Sequence, residues 1–86
     1  MQQFMREFGQ LNGVRAKVLL DHRLFDGQIF DCDELQMVND SQRIGVVLKG
    51  QEKYIDKCNI KLAEIQDNKY ILSDGRLTIT VIVNSL

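Results

Sequence analysis

The chain has 86 residues, a formal net charge of −1, 44% hydrophobic residues, 27% charged residues and no proline. These values predict one small globular domain over residues 1–86 and exclude a disordered chain, a collagen-like repeat and a proline-rich linker. The 11 basic and 12 acidic residues do not give the basic domain that is typical of duplex nucleic-acid binders. Because the sequence has neither an apolar run of about 18 residues nor a signal-peptide pattern, we expect a cytoplasmic protein without membrane association.

The first eleven residues predict a short amphipathic helix over residues 2–11. Phe4, Phe8 and Leu11 recur at the spacing of one helical face. The pair Asn12-Gly13 is typical of a helix end. We expect this helix to cover one open end of the structure that follows, with Phe4 and Phe8 as structural residues.

From Val14 onward the hydrophobic period is mostly two, which predicts strands. The expected strands cover residues 14–20, 24–32, 35–38, 44–48, 52–57, about 63–65, 70–72 and 77–83. In the second of these, Phe25, Gly27 and Ile29 share one face as structural positions. Glycine inside a strand predicts a sharp bend where a Cβ atom would crowd the neighbouring backbone.

The C-terminal third contains two hairpin signals, Asp67-Asn68 and Asp74-Gly75. As two-residue loops they pair Ile65 with Tyr70 and Leu72 with Leu77, with Gly75 as the residue that the second turn requires. Both registers place alternate apolar side chains on one face, which supports them.

The segment 77–83 is apolar at almost every position. Such a strand must be central, covered, or paired with another copy, because an exposed apolar edge aggregates. We therefore expect a homo-oligomer, a dimer before a ring.

A helix followed by seven or eight short strands predicts a mainly β fold, either a small barrel or a strongly bent sheet. The segments Val14-Arg15-Ala16-Lys17-Val18-Leu19-Leu20 and Asp21-His22-Arg23-Leu24-Phe25-Asp26-Gly27-Gln28-Ile29 resemble the first motif of the Sm-like (LSm) family. The resemblance implies a small SH3/Sm-like bent-sheet barrel, here with an extra C-terminal β-hairpin, and RNA binding by an oligomeric ring. In the second motif, Asp56-Lys57 stands where the family has Arg-Gly, and the loop 33–37 lacks the family's Asn.

Five cations and one aromatic residue form a candidate binding surface if their strands are neighbours. They are Arg15, Lys17, Lys53, Tyr54, Lys57 and Lys61. Such a face would track and stack single-stranded RNA. The alternative is the ordinary polar exterior of a small β domain.

Nothing in the sequence predicts an enzyme, a cofactor or a metal. His22 lies in a predicted turn, and the acidic residues around Asp31 either hold a divalent cation or are a solvated turn, which we favour. Cys32 and Cys58 are expected to be reduced, semi-buried residues without a disulfide.

Two functions remain open from the sequence. The first is a non-enzymatic binding module that docks a protein partner, as small acidic barrels encoded by phages and other mobile elements do. The alternative is an Sm-like RNA-binding protein that acts as an oligomeric ring.

Overall fold

The computed structural model describes residues 2–83, except for the side chains of Phe25 and Asp26. These residues form one helix, eight strands and one turn of 3-10 helix: α1 (Gln2–Gly9), β1 (Ala16–His22), β2 (Phe25–Cys32), β3 (Gln36–Asn39), β4 (Arg43–Leu48), β5 (Gln51–Asp56), the 3-10 turn (Lys57–Asn59), β6 (Leu62–Gln66), β7 (Lys69–Ser73) and β8 (Leu77–Val83). The mainly β fold with an N-terminal helix is confirmed. The helix ends at Gly9 rather than at residue 11, because residues 10–13 already form turns. None of the described helices is long and apolar enough to cross a membrane.

The strands form two antiparallel sheets. The large sheet has the order β2-β1-β8-β7-β6, and the small sheet has the order β3-β4-β5. No strand pairing among residues 2–83 joins the two sheets, so the predicted barrel is not closed. The chain leaves the large sheet at Cys32 and enters the small sheet at Gln36, and this short connection turns the two sheets against each other.

The hydrophobic core lies on the inner face of the large sheet. Val18, Ile79 and Val81 of that sheet are fully buried, as are Ile44 and Val46 of the small sheet. All of them belong to one apolar cluster. The core is therefore enclosed between the two sheets.

The helix α1 contributes aromatic side chains to the same core. The rings of Phe4 and Phe8 stack with centroids 5.2 Å apart. Both rings meet Tyr70 of β7 edge-on, at 6.4 Å each. Phe4, Phe8 and Leu11 are 4%, 0% and 6% exposed, which confirms that this stripe packs inward.

The apolar strand β8 lies in the middle of the large sheet, hydrogen-bonded to β1 on one side and to β7 on the other. Central placement was one of the three arrangements that its composition allowed. Because β8 has both neighbours within its own chain, its composition no longer argues for the homo-oligomer.

The two predicted hairpins have different outcomes. The loop at Asp67-Asn68 has the expected register, with Ile65 opposite Tyr70. In the second hairpin the predicted register is wrong by two residues: Leu72 lies opposite Ile79 rather than Leu77.

The cause of the offset is the carboxylate of Asp74. It accepts hydrogen bonds from the backbone N–H groups of Arg76 and Leu77, at 2.8 Å each. This holds residues 74–77 in a longer loop, with Gly75 at φ +90°, a backbone conformation in which glycine is favoured. A shift of two residues preserves the face of each side chain.

The second strand is irregular at Gly27, but not for the predicted reason. Leu20 pairs with Gln28 and His22 with Phe25, so two residues of β2 stand opposite the single residue Asp21 in a β-bulge. A Cβ atom on Gly27 would meet its nearest neighbours at 3.6 Å, which is ordinary contact. The predicted crowding is therefore wrong.

The structural role predicted for Ile29 is also wrong. Ile29 lies opposite Leu19. Leu19 points away from the core, whereas its neighbours Val18 and Leu20 point into it. The side chain of Ile29 is accordingly 66% exposed. Phe25, the other side chain predicted on that face, lies outside the described side chains.

The crowded glycine is Gly45 in β4, which sequence analysis missed. An added Cβ atom there would overlap the backbone carbonyl oxygen of Lys53 in β5. The backbones of β4 and β5 therefore approach each other at Gly45 more closely than any residue with a Cβ atom would allow.

We predict that Phe8→Ala lowers the free energy of unfolding by about 3–5 kcal/mol, because it removes a fully buried ring from the core. Urea denaturation followed by circular dichroism measures the change. The control is Gln3→Ala, at an exposed position of the same helix, for which we expect a change within about 0.5 kcal/mol. A similar small change for Phe8→Ala would contradict the packing of α1.

We predict that Gly45→Ala destabilises the domain by about 2 kcal/mol or more, since the backbone of β5 must move to admit a methyl group. Gly27→Ala is the matched control and is expected to change stability by less than about 1 kcal/mol, because its surroundings leave room for the methyl group. Thermal melting of both variants tests the pair. Equal melting temperatures would show that Gly45 is not the point of close approach.

Candidate interaction surface

The outer face of the large sheet carries an apolar row that crosses four strands. Ile29 of β2 lies opposite Leu19 of β1, which lies opposite Thr80 of β8, which lies opposite Ile71 of β7. Residues directly opposite each other in a sheet share a face. We call the surface formed by this row and Ile82 the outer face.

The side chains of the outer face do not belong to the core. Leu19, Ile29, Ile71 and Ile82 are absent from both the buried apolar cluster and the partly buried residues that pack against it. In an antiparallel sheet with one buried face, the opposite face is usually polar. An apolar row at the centre of a solvent-facing sheet is therefore a surface that needs an explanation.

Charged residues border the apolar row on the next rung of the sheet. Lys17 of β1 pairs with Asp31 of β2, with the ammonium and carboxylate groups 3.9 Å apart. On the β8 side, Lys17 lies opposite Ile82, and Ile82 in turn lies opposite Lys69 of β7. The surface thus has an apolar centre and a charged border, which is the composition of a protein interface.

A shallow groove of about 210 Å³ runs along the outer face beside the bulge. Leu19, Ile29 and Thr80 line one part of it, and Asp21, Gly27 and Thr78 line the part nearest the bulge.

The groove continues to a basic corner at one end of the large sheet. There the β1–β2 turn meets the β7–β8 loop, and the backbone N–H of Arg23 donates a hydrogen bond to the carbonyl oxygen of Arg76 at 2.9 Å. A pocket of about 410 Å³ is lined by His22, Arg23, Leu24 and Arg76. We call these four residues the basic corner. Leu24 is 83% exposed, so the corner combines positive charge with an open apolar side chain.

Asp74 lies beside this corner, but its carboxylate is committed to the loop. Partial burial raises its pKa, yet the backbone N–H groups of Leu77 and Arg76, together with the nearby charge of Arg76, lower it overall. One carboxylate oxygen accepts both backbone hydrogen bonds. The principal role of Asp74 is therefore to fix the loop that presents Arg76.

The six residues of the predicted RNA surface do not form one face. Lys17 lies in β1 of the large sheet, whereas Lys53 and Tyr54 lie in β5 of the small sheet, so their strands are not neighbours. The candidate binding surface required these strands to be neighbours, and they belong to different sheets.

The remaining members of the set have local partners or lie elsewhere. Arg15 is 3.9 Å from a carboxylate oxygen of Asp33, and the ammonium group of Lys57 donates to the backbone oxygen of Asp40. Lys61 precedes β6, and its side chain lies beside Gly75.

The small sheet has its own cation, Arg43, which sequence analysis did not single out. Its guanidinium lies 2.8 Å from Asp40 and 3.1 Å from Glu52, and it covers the ring of Tyr54 at 4.9 Å. The backbone N–H groups of Gln42 and Arg43, and then the guanidinium, lower the pKa of Asp40 to about 2. Because Arg43 is already held by two carboxylates, it is a structural cation of this sheet.

Sequence analysis also missed the outer face and the basic corner. The signal for the outer face was present in β8, whose apolar run includes positions on both sides of the strand. The basic corner had no comparable signal, because Arg23 and Arg76 are distant in sequence and meet only through the pairing of β1 with β8.

The two cysteines differ in environment, and both are free thiols. Cys32 is half-buried against the core; this burial, followed by the charges of Asp31 and Asp33, raises its pKa. Cys58 is exposed in the 3-10 turn, contrary to the semi-buried position that we expected.

We predict that iodoacetamide modifies Cys58 about tenfold faster than Cys32 near pH 8, because the raised pKa and partial burial of Cys32 lower its reactive thiolate fraction. Mass spectrometry of timed samples measures both rates, and Cys58→Ser should retain only the slow reaction. Raising the pH toward the pKa of Cys32 should accelerate that slow reaction. Equal rates in the parent protein would contradict the assignment.

Comparisons of the chain with protein-family models, with curated proteins and with solved structures found no match.

Proposed function

We propose that this protein is a non-enzymatic binding module that docks a protein partner through the outer face of the large sheet. The observation that carries the proposal is the apolar row Ile29–Leu19–Thr80–Ile71, which lies on a solvent-facing sheet and outside the core. Burial of such a row against a partner is favourable at about 25 cal/mol per Å² of apolar surface. The proposal assigns no catalytic residue and no cofactor.

The outer face has the dimensions of a binding surface. Five strands about 4.8 Å apart and about 20 Å long present roughly 400–500 Å². A standard interface buries about 800 Å² on each partner. The face of the large sheet therefore offers somewhat more than half of that area, and the basic corner adjoins it.

The chemistry of the row favours a protein over RNA as the occupant. Binding of single-stranded RNA requires a cationic groove with aromatic platforms. The apolar row contains isoleucine, leucine and threonine, and Tyr54 lies in the other sheet. The Sm-like RNA-binding ring, and with it a closed SH3/Sm-like barrel, is the less supported hypothesis.

A second copy of this chain is a further possible occupant of the outer face. The homo-oligomer was one of three ways to satisfy the apolar strand β8, and β8 is central in the large sheet, with neighbours on both sides. We therefore propose a different protein as the partner, within the cytoplasm of a host that carries a phage or another mobile element.

The test is affinity capture from a lysate of the source cells with three immobilised proteins. The parent and Tyr54→Ser should retain the same specific protein, and Ile29→Gln should retain about tenfold less of it, since it removes the most exposed side chain of the row. Nuclease treatment of the lysate should not change the result. Light scattering of the purified parent shows whether it self-associates.

Three outcomes would overturn the proposal. One is full retention by Ile29→Gln, and another is loss of capture on nuclease treatment. The third is a stable homo-oligomer of the parent that Ile29→Gln dissociates, which would show that the outer face is occupied by a second copy.

A further inference from the structure

The basic corner contains two arginines that form no ion pair among the described residues. Arg23 and Arg76 are both exposed and line the same pocket. Their loops are joined by the hydrogen bond between the backbone N–H of Arg23 and the carbonyl oxygen of Arg76. This contrasts with Arg43, which two carboxylates hold in the small sheet.

The described acidic side chains near the corner form no ion pair with either arginine. Asp74 is near enough to Arg76 for the two charges to interact, but one of its carboxylate oxygens is held by the backbone of its own loop. Asp21 lines the passage between the groove and the corner without forming an ion pair in the described structure. Within the part of the chain that the structure describes, both guanidinium groups therefore remain available to an external anion.

The corner and the outer face form one continuous surface. Asp21 and Thr78 line both the groove on the outer face and a second pocket, of about 290 Å³, which Arg23 and Arg76 also line. A segment that crosses the apolar row parallel to β1 and β8 would therefore reach the basic corner after about three residues in extended conformation, a distance of roughly 10 Å.

The surroundings favour a carboxylate over a phosphate backbone as that anion. Leu24 is 83% exposed beside the arginines and offers an apolar contact that a protein side chain can use. A nucleic-acid strand carries a charge on every phosphate and would place such charges on the apolar row, whereas a peptide can place carboxylates at the corner and apolar side chains on the row. Arginine binds carboxylates through two parallel hydrogen bonds.

From this arrangement we propose that the docking partner presents an acidic segment, and that its carboxylates bind Arg23 and Arg76 while its apolar residues extend along the outer face. This inference rests on the proposed function and specifies the chemistry of the partner. Arg23 and Arg76 determine the orientation of the segment, because they lie beyond only one end of β1 and β8, on one side of the apolar row.

The test uses two synthetic peptides, acetyl-Glu-Glu-Leu-Ser-Leu-Ser-amide and its counterpart with glutamine in place of both glutamates. Each is titrated into the isotopically labelled protein at low salt and followed by NMR. The acidic peptide should shift the signals of Arg23, Leu24 and Arg76, and the glutamine peptide should bind about threefold to tenfold more weakly.

Three variants provide the controls. Arg23→Gln and Arg76→Gln should each weaken the acidic peptide about threefold to tenfold. Arg6→Gln makes the same change of charge at an exposed position of α1 and should leave the affinity unchanged. Equal binding of the two peptides, or equal weakening by Arg6→Gln, would overturn the inference.

The variant Ile29→Gln separates this inference from the proposed function. If Ile29→Gln binds the acidic peptide more weakly and the arginine variants do not, the proposal that a partner docks on the outer face stands and the inference of an acidic segment is wrong. If the arginine variants bind it more weakly and Ile29→Gln does not, the inference of an acidic segment stands and docking on the outer face is wrong. An oligouridylate of ten nucleotides that binds more tightly than the acidic peptide and shifts the same signals would show that the corner binds nucleic acid, and would overturn the inference.

Discussion

The pairing of β8 with both β1 and β7 is the interaction on which the rest of the structure depends. It joins the first hairpin of the chain to the last one in a single five-stranded sheet. On its inner side, Ile79 and Val81 complete the core and are fully buried. On its outer side, Thr80 and Ile82 form the middle of the outer face. The strand β8 therefore contributes side chains both to the core and to the proposed binding surface.

The size of the domain explains why only one face of the large sheet is covered. Small domains bury a limited fraction of their surface, because few elements are available to pack on each other. Here α1 and the small sheet both lie against the inner face, where Phe8 and Ile44 are fully buried. The outer face has no described element packed on it, and the apolar residues there are free to contact another molecule.

The sequence predicted the elements well, because they depend on local patterns. The spacing of Phe4 and Phe8 located the helix, and the period of two located the strands. The loop at Asp67-Asn68 also gave the correct register, because a two-residue hairpin leaves the flanking strands a single pairing.

The parts that the sequence did not predict depend on contacts between distant residues. The need for glycine at Gly45 arises from the close approach of the Lys53 backbone in the paired strand β5, which the apolar pattern of β4 does not indicate. The exposure of Ile29 follows from its pairing opposite Leu19. The set of six candidate binding residues failed for the same reason, since the order of strands assigns β1 and β5 to different sheets.

The error in the second hairpin leads directly to the proposed specificity. In a two-residue turn at Asp74-Gly75, Arg76 would be the first paired residue of the strand, opposite Ser73. The Asp74 carboxylate instead holds Arg76 in the loop, so that its carbonyl oxygen receives the N–H of Arg23. The same side chain that stabilises the shifted register thus holds Arg76 close to Arg23, beyond one end of β1 and β8 and beside the apolar row. A hydrogen-bonded turn, rather than a longer basic stretch of sequence, is what places two arginines together in this nearly neutral domain, at the point where the proposed acidic segment would bind.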